Sequence, residues 1–205
     1  MLWQNSINSV IFSAINVLES EGLNLKTGFK ELDEIITLDS NKLILVYGKP
    51  AVGKTTFALN IINNVASQNI PSLFFSLELS KESITNENAE TLFIDDSANV
   101  SIDYIEGKCR NLKQEQNIEF VVIDYLQLIN FKGNMNELGS KLKALAEELN
   151  VTILLLSQLK CENDKRLTLE DLKQSKPVAE IADVVMFLCR NNNIMNIIKC
   201  SRSKL

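Results

Sequence analysis

The most constraining feature of the sequence is the octapeptide at residues 48–55, GKPAVGKT, which fits the pattern G-x-x-x-x-G-K-[ST] without a mismatch. The two glycines let the backbone curl so that its N–H groups face phosphate oxygens. The lysine supplies a cation, and the threonine hydroxyl can ligate Mg²⁺. The candidate nucleotide-binding residues are Gly48, Lys49, Pro50, Ala51, Val52, Gly53, Lys54, Thr55 and Thr56.

The sequence on either side of this octapeptide supports a phosphate-binding loop. Residues 43–47, LILVY, form an apolar run typical of a buried strand, and residues 56–66 carry apolar side chains at helical spacing. A strand, a loop and a helix in this order place the N-terminal end of the helix dipole beside the bound anion. The sequence therefore predicts binding of a nucleoside triphosphate.

The composition of the chain excludes several kinds of catalytic and metal-binding site. The chain has 205 residues, 45% of them hydrophobic, which suits one domain with a well-formed core. It contains no histidine, which excludes Ser-His-Asp and Cys-His catalysis and the commonest zinc ligand. The net charge is −5, so the surface as a whole does not attract nucleic acid. A polyanion other than a nucleotide would have to bind a local basic patch or a surface formed by a ring of subunits.

Cysteine usage and hydropathy indicate a cytoplasmic location. The four cysteines stand far apart and form no C-x-x-C pair, which favours small apolar residues in a reducing compartment. We find no apolar window long enough to span a bilayer and no basic run ahead of the first apolar residues, so we expect neither a membrane span nor a signal peptide.

The N-terminal segment carries apolar residues at spacings of three and four over residues 2–20, followed by Gly22. This pattern predicts an amphipathic helix over residues 1–22, with a single domain over residues 23–205. Two placements of the helix are open at this stage. It can pack on the core of its own domain, or it can dock on a neighbouring subunit as a linker helix.

Beyond residue 43, apolar runs alternate with helical patterns. The predicted strands cover residues 43–47, 72–77, 92–94, 120–123, 151–156, 181–188 and 195–199, and further helices cover residues 101–114 and 135–150. The strands are apolar throughout rather than alternating, which is typical of strands buried on both faces. The expected fold is therefore α/β, with a mainly parallel sheet and helices on both faces.

Two carboxylates and one amide follow predicted strands directly. Asp124 is a candidate Mg²⁺ support, and the alternative is a strand-end cap. Glu78 is a candidate general base, and the alternative is an exposed surface carboxylate. Gln158 is a candidate sensor of the γ-phosphate, although a glutamine at a strand end is common for other reasons.

Several blocks in order resemble the motifs of DnaB-type replicative helicases. Besides the phosphate loop, these are residues 75–80 (FSLELS), 122–128 (VIDYLQL) and 156–159 (LSQL). Residues 27–33 (TGFKELD) and 182–187 (ADVVMF) also resemble family segments, and the match extends from about residue 24 to residue 202. The blocks at 75–80 and 122–128 are more specific than the phosphate loop.

The resemblance implies a RecA-like P-loop ATPase domain that uses ATP and Mg²⁺ in a hexameric ring. Such rings move on single-stranded DNA during replication and meet primase and a helicase loader. By the match, Lys54 and Thr55 bind phosphate and Mg²⁺, Glu78 is the catalytic base, Asp124 supports the metal and Gln158 is the sensor. Arg202 falls where the family has an arginine finger that reaches the nucleotide of the adjacent subunit, and Lys199 assists it.

The segment that resembles the DNA-contacting loop of the family departs from the usual pattern. Lys173 and Lys176 keep positive charge, but Gln174 replaces an acid and Lys176-Pro177 stands where a glycine is usual. Lysine contacts of this kind would bind the phosphate backbone of DNA and would not distinguish its base sequence. The alternative is that these lysines are ordinary solvated surface residues.

Two functions from different classes are open at this point. The first is an ATP-driven motor that translocates on single-stranded DNA. The second is a non-translocating ATP-binding module, such as a loader, a regulator or a degenerate helicase paralogue. The change at Gln174 and two short intervals, at residues 80–92 and 129–135, motivate the second. A recombinase-type RecA relative fits less well, because the blocks at 75–80 and 122–128 point elsewhere.

Overall fold

A computed structural model describes residues 25–36, 38–84, 90–159, 175–191 and 194–201 of the chain. The predicted helix over residues 1–22 lies outside these ranges, and so do Lys173, Gln174 and Arg202. In the described part, no helix combines the length and the apolar character that crossing a membrane requires.

In the described residues, the centre of the fold is a seven-stranded sheet with the order β3-β2-β4-β5-β1-β6-β7. Its strands are β1 (Leu43–Gly48), β2 (Ser72–Ser76), β3 (Leu92–Asp95), β4 (Phe120–Asp124), β5 (Thr152–Gln158), β6 (Val184–Asn191) and β7 (Ile194–Ser201). The pairs among β1 to β6 are parallel, and β7 runs antiparallel to β6 at one edge. The prediction of a mainly parallel sheet is confirmed.

Helices cover both faces of this sheet, as predicted. They are α1 (Lys30–Asp33), α2 (Lys54–Ser67), α3 (Ile102–Gln116), α4 (Met135–Leu149) and α5 (Lys176–Ile181), with 3-10 turns at Lys81–Ser83 and Leu126–Leu128. One face packs on α3, α4 and α5, and the other packs on α1 and α2. Every residue of β1, β2 and β4 is buried, which explains why these runs are apolar without alternation.

The start of α3 and the end of α4 are set by residues that cap the helix. Ser101 caps α3, because its hydroxyl accepts a hydrogen bond from the Tyr104 N–H at 3.1 Å. Asn150 ends α4 in the left-handed conformation, with φ of 53°. Helix α3 therefore begins one residue after its predicted start and α4 ends one residue before its predicted end, because Ser101 and Asn150 are cap residues outside the helix; α3 also continues two residues beyond its predicted end at residue 114.

One predicted strand starts three residues too early. The sequence predicts a strand from residue 181, but Ile181 is the last residue of α5, and β6 begins at Val184. A proline in the first turn of α5 is compatible with a helix start, because that N–H needs no intrahelical partner. The apolar run thus spans a helix end and a strand, which periodicity alone does not separate.

Parallel pairing brings the carboxyl ends of four strands to one edge of the sheet. Gly48 at the end of β1 is in register with Gln158 at the end of β5. Ser76 at the end of β2 is in register with Asp124 at the end of β4. The phosphate loop and the strand-end polar residues therefore converge, although they are far apart in sequence.

The segment ahead of β1 is anchored on α2. The Thr27 hydroxyl donates to Asp33 Oδ1 at 2.7 Å, and Asn64 Nδ2 donates to the Thr27 carbonyl at 2.8 Å. Phe29 stacks on Phe57 with ring centroids 5.7 Å apart. Between Thr27 and Phe29, Gly28 has a φ of 82°, which side chains with a Cβ rarely adopt.

Replacing Gly28 by alanine should destabilise the protein. A Cβ there would lie 2.0 Å from Asn64 Nδ2, in addition to the positive φ. We expect a loss of about 2–3 kcal/mol in the free energy of unfolding, from the left-handed strain and the displaced Asn64 hydrogen bond.

Gly107→Ala is the matched control for this prediction. Gly107 lies inside α3, and its Cβ would meet nothing within 4 Å, so alanine should stabilise by about 0.5–1 kcal/mol. Urea unfolding of both variants measures the two effects. Equal unfolding free energies for Gly28→Ala and the wild type would contradict the assignment of strain to Gly28.

Candidate nucleotide site

The phosphate loop joins the end of β1 to the start of α2. Its backbone takes left-handed geometry at Ala51, with φ of 57°, and at Gly53, with φ of 103°. A Cβ at Gly48 would lie 2.7 Å from Val52 Cγ1 and 3.0 Å from Lys54 Cγ. Both glycines of the pattern are therefore required by this backbone, which directs the first N–H groups of α2 toward the loop.

A cavity of ≈ 360 Å³ lies beside this loop at the carboxyl edge of the sheet. Its lining residues from the loop and from α2 are Pro50, Ala51, Gly53, Lys54, Thr55 and Thr56. The residues from the neighbouring strand ends are Glu78, Leu79, Tyr125 and Gln158. The structure thus brings the predicted base and the predicted sensor to the same cavity as the phosphate loop.

The Lys54 side chain is buried at the floor of the site, with 8% of its surface exposed. Its ammonium donates a hydrogen bond to the Lys49 carbonyl at 3.0 Å. Burial lowers the pKa of Lys54, while the negative charges of Asp124 and Glu78 raise it. A buried cation held by a carbonyl rather than by a close carboxylate is a favourable place for an added anion.

Asp124 is buried at the end of β4, and its carboxylate accepts a hydrogen bond from Thr55. Burial raises the pKa of Asp124, and the Thr55 hydrogen bond and the charge of Lys54 oppose this shift. Among the described residues, Asp124 Oδ1 has no hydrogen-bond partner. A buried carboxylate oxygen with spare capacity and an adjacent hydroxyl fit Mg²⁺, which prefers oxygen ligands and keeps several waters or phosphates.

Glu78 lies two residues beyond β2, exposed at the mouth of the cavity. Gln158 is the last residue of β5, and the Gln127 side chain holds its backbone. The Gln158 N–H donates to Gln127 Oε1 at 3.2 Å, and Gln127 Nε2 donates to the Gln158 carbonyl at 3.1 Å. The backbone of the predicted sensor is therefore fixed while its side chain lines the cavity.

Two further predicted residues, Lys199 and Lys176, lie in the described part of the chain but do not line the cavity. Lys199 lies on β7, opposite Met186 of β6. Lys176 begins α5, and its ammonium is 3.8 Å from a Glu180 carboxylate oxygen. Arg202, Lys173 and Gln174 lie outside the described residues.

Sequence reasoning gave no role to three residues that the structure places at or beside the cavity. Leu79 and Tyr125 line it, and Gln127 holds Gln158. Burial raises the pKa of Tyr125, and the negative charges of Glu78 and Asp124 raise it further. One sequence pattern could have identified these residues, because all three follow β2 or β4 within a few residues. They therefore lie at the edge of the sheet where ligands bind.

Comparisons with known proteins agree with this architecture. The family model described as the DnaB-like helicase C terminal domain matches residues 24–89 and 84–203. The chain is 34% identical to the replicative DNA helicase DnaB of Geobacillus stearothermophilus over 88% of its own length. It is also 34% identical to the replicative DNA helicase DnaC of Bacillus subtilis over 85% of its length.

Two solved structures share the fold. The first, described as an ATPase domain, superimposes with a TM-score of 0.73 at 26% identity, covering 83% of this chain and 78% of that one. The second, a DnaB-like replicative helicase described together with its interactions with primase, gives 0.72 at 25% identity, covering 82% and 52%. The chain spans about half the length of the curated relatives it matches, 52% and 51% for the two named above.

Replacing Asp124 by asparagine should stabilise the nucleotide-free protein at neutral pH. The burial that raises the pKa of Asp124 means that the ionised carboxylate destabilises the folded state. This cost is absent below the unfolded-state pKa of about 3.9, and it grows as the pH rises toward the folded-state value. Thermal unfolding should therefore give the variant a higher Tm at pH 7, with the difference shrinking as the pH falls toward about 4.

Asp103→Asn is the control for Asp124→Asn. The Asp103 side chain is 80% exposed, so its replacement should change stability by no more than about 0.5 kcal/mol. Nucleotide added with Mg²⁺ should raise the Tm of the wild type more than that of Asp124→Asn. A lower Tm for Asp124→Asn than for the wild type at pH 7 without nucleotide would contradict the burial argument.

Proposed function

The chain belongs to the DnaB-like helicase C terminal domain family, and on that premise we propose that it is the ATP-hydrolysing motor domain of a replicative DNA helicase. The observation that carries the proposal is that Lys54 and Glu78 line one cavity beside the phosphate loop, with the buried Asp124 carboxylate close enough to interact with Lys54. These groups supply a phosphate-binding cation, a metal-supporting carboxylate and a candidate base. Those are the parts that phosphoryl transfer to water requires.

The phosphate loop and Lys54 bind the β- and γ-phosphates of ATP in this proposal. The Lys54 ammonium exchanges its hydrogen bond to the Lys49 carbonyl for phosphate oxygens, which restores the charge stabilisation that burial removes. Thr55 through its hydroxyl and Asp124 through its carboxylate would hold Mg²⁺, since Asp124 Oδ1 is a buried acceptor without a hydrogen-bond partner among the described residues. Bound Mg²⁺ neutralises charge on the phosphates.

Glu78 is the proposed general base. Its carboxylate lines the cavity and is exposed, so it can meet a water molecule on the γ-phosphate side of the site and accept a proton from it. Gln158 lines the same cavity from the end of β5 and can hydrogen-bond the γ-phosphate through its uncharged amide. Hydrolysis removes that partner, so Gln158 distinguishes the two nucleotide states.

We further propose that the chain acts in a homo-oligomeric ring, expected to be hexameric. β7 is an edge strand of the sheet, paired with β6, and Lys199 lies on it. Arg202 is the residue that directly follows β7 in sequence. A cation from this edge can approach the phosphates of a nucleotide bound to an adjacent subunit, which would couple assembly to hydrolysis.

Lys173 and Lys176 are the proposed contacts to single-stranded DNA, beside Gln174. Primase and a helicase loader are proposed partners, and the cytoplasm is the proposed location.

Glu78→Gln should abolish turnover and leave nucleotide binding intact. The amide keeps the size of the side chain but cannot take the proton, so kcat should fall by a factor of about 10² or more. Fluorescent-nucleotide titration should show unchanged affinity. Glu82→Gln removes the same charge from an exposed residue that is absent from the cavity lining, so it should retain wild-type kcat. Full turnover by Glu78→Gln would exclude Glu78 as the base.

The motor proposal is tested by ATPase rates with and without single-stranded DNA, together with the mass of the assembled particle. A ring motor should form an oligomer with ATP, and single-stranded DNA should increase its turnover. Stimulation should weaken steeply as salt rises, because the contacts are to phosphates. A protein that binds ATP but stays monomeric and unstimulated would instead fit the non-translocating module.

A further inference from the structure

Glu78 lies in a bend over residues 77–80, called here the Glu78 turn, which directly follows β2. The residue is exposed, and it lines the nucleotide cavity. An exposed side chain has few packing neighbours, so the position of its carboxylate depends mainly on the backbone that carries it. The contacts that hold the Glu78 turn therefore decide where the proposed base lies.

Ser76, the last residue of β2, closes the Glu78 turn from the buried side. It has 3% of its surface exposed, and its hydroxyl donates a hydrogen bond to the Leu79 carbonyl at 2.6 Å. This bond spans Glu78, because Ser76 lies before it and Leu79 after it in sequence. Serine hydroxyls form such local bonds to the backbone, and the low dielectric around a buried residue strengthens them.

Both strands that neighbour β2 also hold the Glu78 turn. On the β4 side, the Leu77 N–H donates to the Asp124 carbonyl at 2.9 Å. On the β3 side, the Lys81 N–H donates to Asp96 Oδ2 at 2.8 Å, and Asp96 directly follows β3. Since β2 lies between β3 and β4 in the sheet, the turn is attached to β4 before Glu78 and to the end of β3 after it.

We propose that Ser76 and Asp96 are positioning residues for the base Glu78. The inference rests on the proposed function, because it presupposes that Glu78 accepts a proton from the attacking water. Ser76 and Asp96 are not among the described residues that line the cavity. Each acts through the backbone of the Glu78 turn, Ser76 by closing it across Glu78 and Asp96 by holding its far end.

Proton transfer makes a strict demand on the position of this carboxylate. A general base has to lie within hydrogen-bond reach of the water, about 2.6–3.2 Å between heavy atoms. A misplacement of about 1 Å can lower the rate by a factor of about 10². The bond from Leu77 to the Asp124 carbonyl joins backbone groups, so substitutions at Ser76 and Asp96 loosen the turn but leave it attached to β4. Turnover should therefore be more sensitive to these substitutions than folding or nucleotide binding.

Ser76→Ala should lower kcat by a factor of about 10 or more and change nucleotide affinity by less than about twofold, since the phosphate loop is untouched. Ser72→Ala is the matched control. Ser72 begins the same strand, is completely buried, and its hydroxyl donates to the Ile70 carbonyl at 3.0 Å. This variant loses an equivalent hydrogen bond at the far end of β2 and should keep the wild-type kcat. Equal losses of kcat in the two serine variants would assign Ser76 to general stability and overturn the inference.

Asp96→Ala tests the other end of the Glu78 turn at an exposed position, where substitution does not disturb the core. Its kcat should fall by a factor of about 3 or more, whereas Asp96→Asn should keep wild-type turnover, because the amide oxygen can still accept from the Lys81 N–H. In the nucleotide-free protein, hydrogen exchange at the Lys81 amide should be about fivefold faster in Asp96→Ala than in the wild type. Unchanged exchange, or failure of asparagine to restore turnover, would overturn the role of this hydrogen bond.

A double variant shows whether the effect of Ser76 passes through the base. Adding Ser76→Ala to Glu78→Gln should lower kcat by no more than about twofold, because an amide that cannot take the proton gains nothing from correct placement. A further loss of about tenfold would overturn the inference. A wild type that binds ATP without hydrolysing it would refute the proposed function and this inference together. An active wild type with full turnover in both Ser76→Ala and Asp96→Ala would overturn the inference alone.

Discussion

Parallel pairing of the central strands is the constraint on which the site depends. Since β1, β2, β4 and β5 run in the same direction, their carboxyl ends meet at one edge of the sheet. Lys54, Glu78, Asp124 and Gln158 follow these ends and line or adjoin a single cavity. The burial of both sheet faces excludes water from the strands, so polar groups emerge only where the strands stop.

The same burial leaves charged groups of the site incompletely compensated when no ligand is bound. Lys54 and Asp124 are both buried, and burial shifts the pKa of each toward its neutral form. Their mutual attraction opposes these shifts but does not outweigh them. The folded protein therefore holds two partly desolvated charges and one unpaired carboxylate oxygen, all oriented by the phosphate loop and β4. Binding of Mg²⁺ and phosphate would relieve each of these costs, which links stability to occupancy.

Much of this arrangement was predictable from the sequence, because apolar runs and the phosphate loop are strong local patterns. The positions of β1, β4 and α4 followed from such runs, and so did the convergence of Asp124 and Gln158 on the loop. The short helix α5 was not predicted, since its apolar residues merge with those of β6. The pairing of Gln127 with Gln158 was also out of reach, because it joins turns that only the folded sheet brings together.

Charge balance explains why the proposed site needs a neighbour. Lys54 is the one basic residue among the described residues that line the cavity, and the acidic Glu78 faces it. A triphosphate and its transition state carry several negative charges, which Mg²⁺ and one lysine neutralise only in part. Under the motor proposal a further cation comes from outside this cavity, and Arg202 directly follows the outer strand β7 in sequence. Under the motor proposal, one subunit binds the nucleotide and the next supplies the positive charge that its cleavage requires. Hydrolysis then depends on contact between subunits.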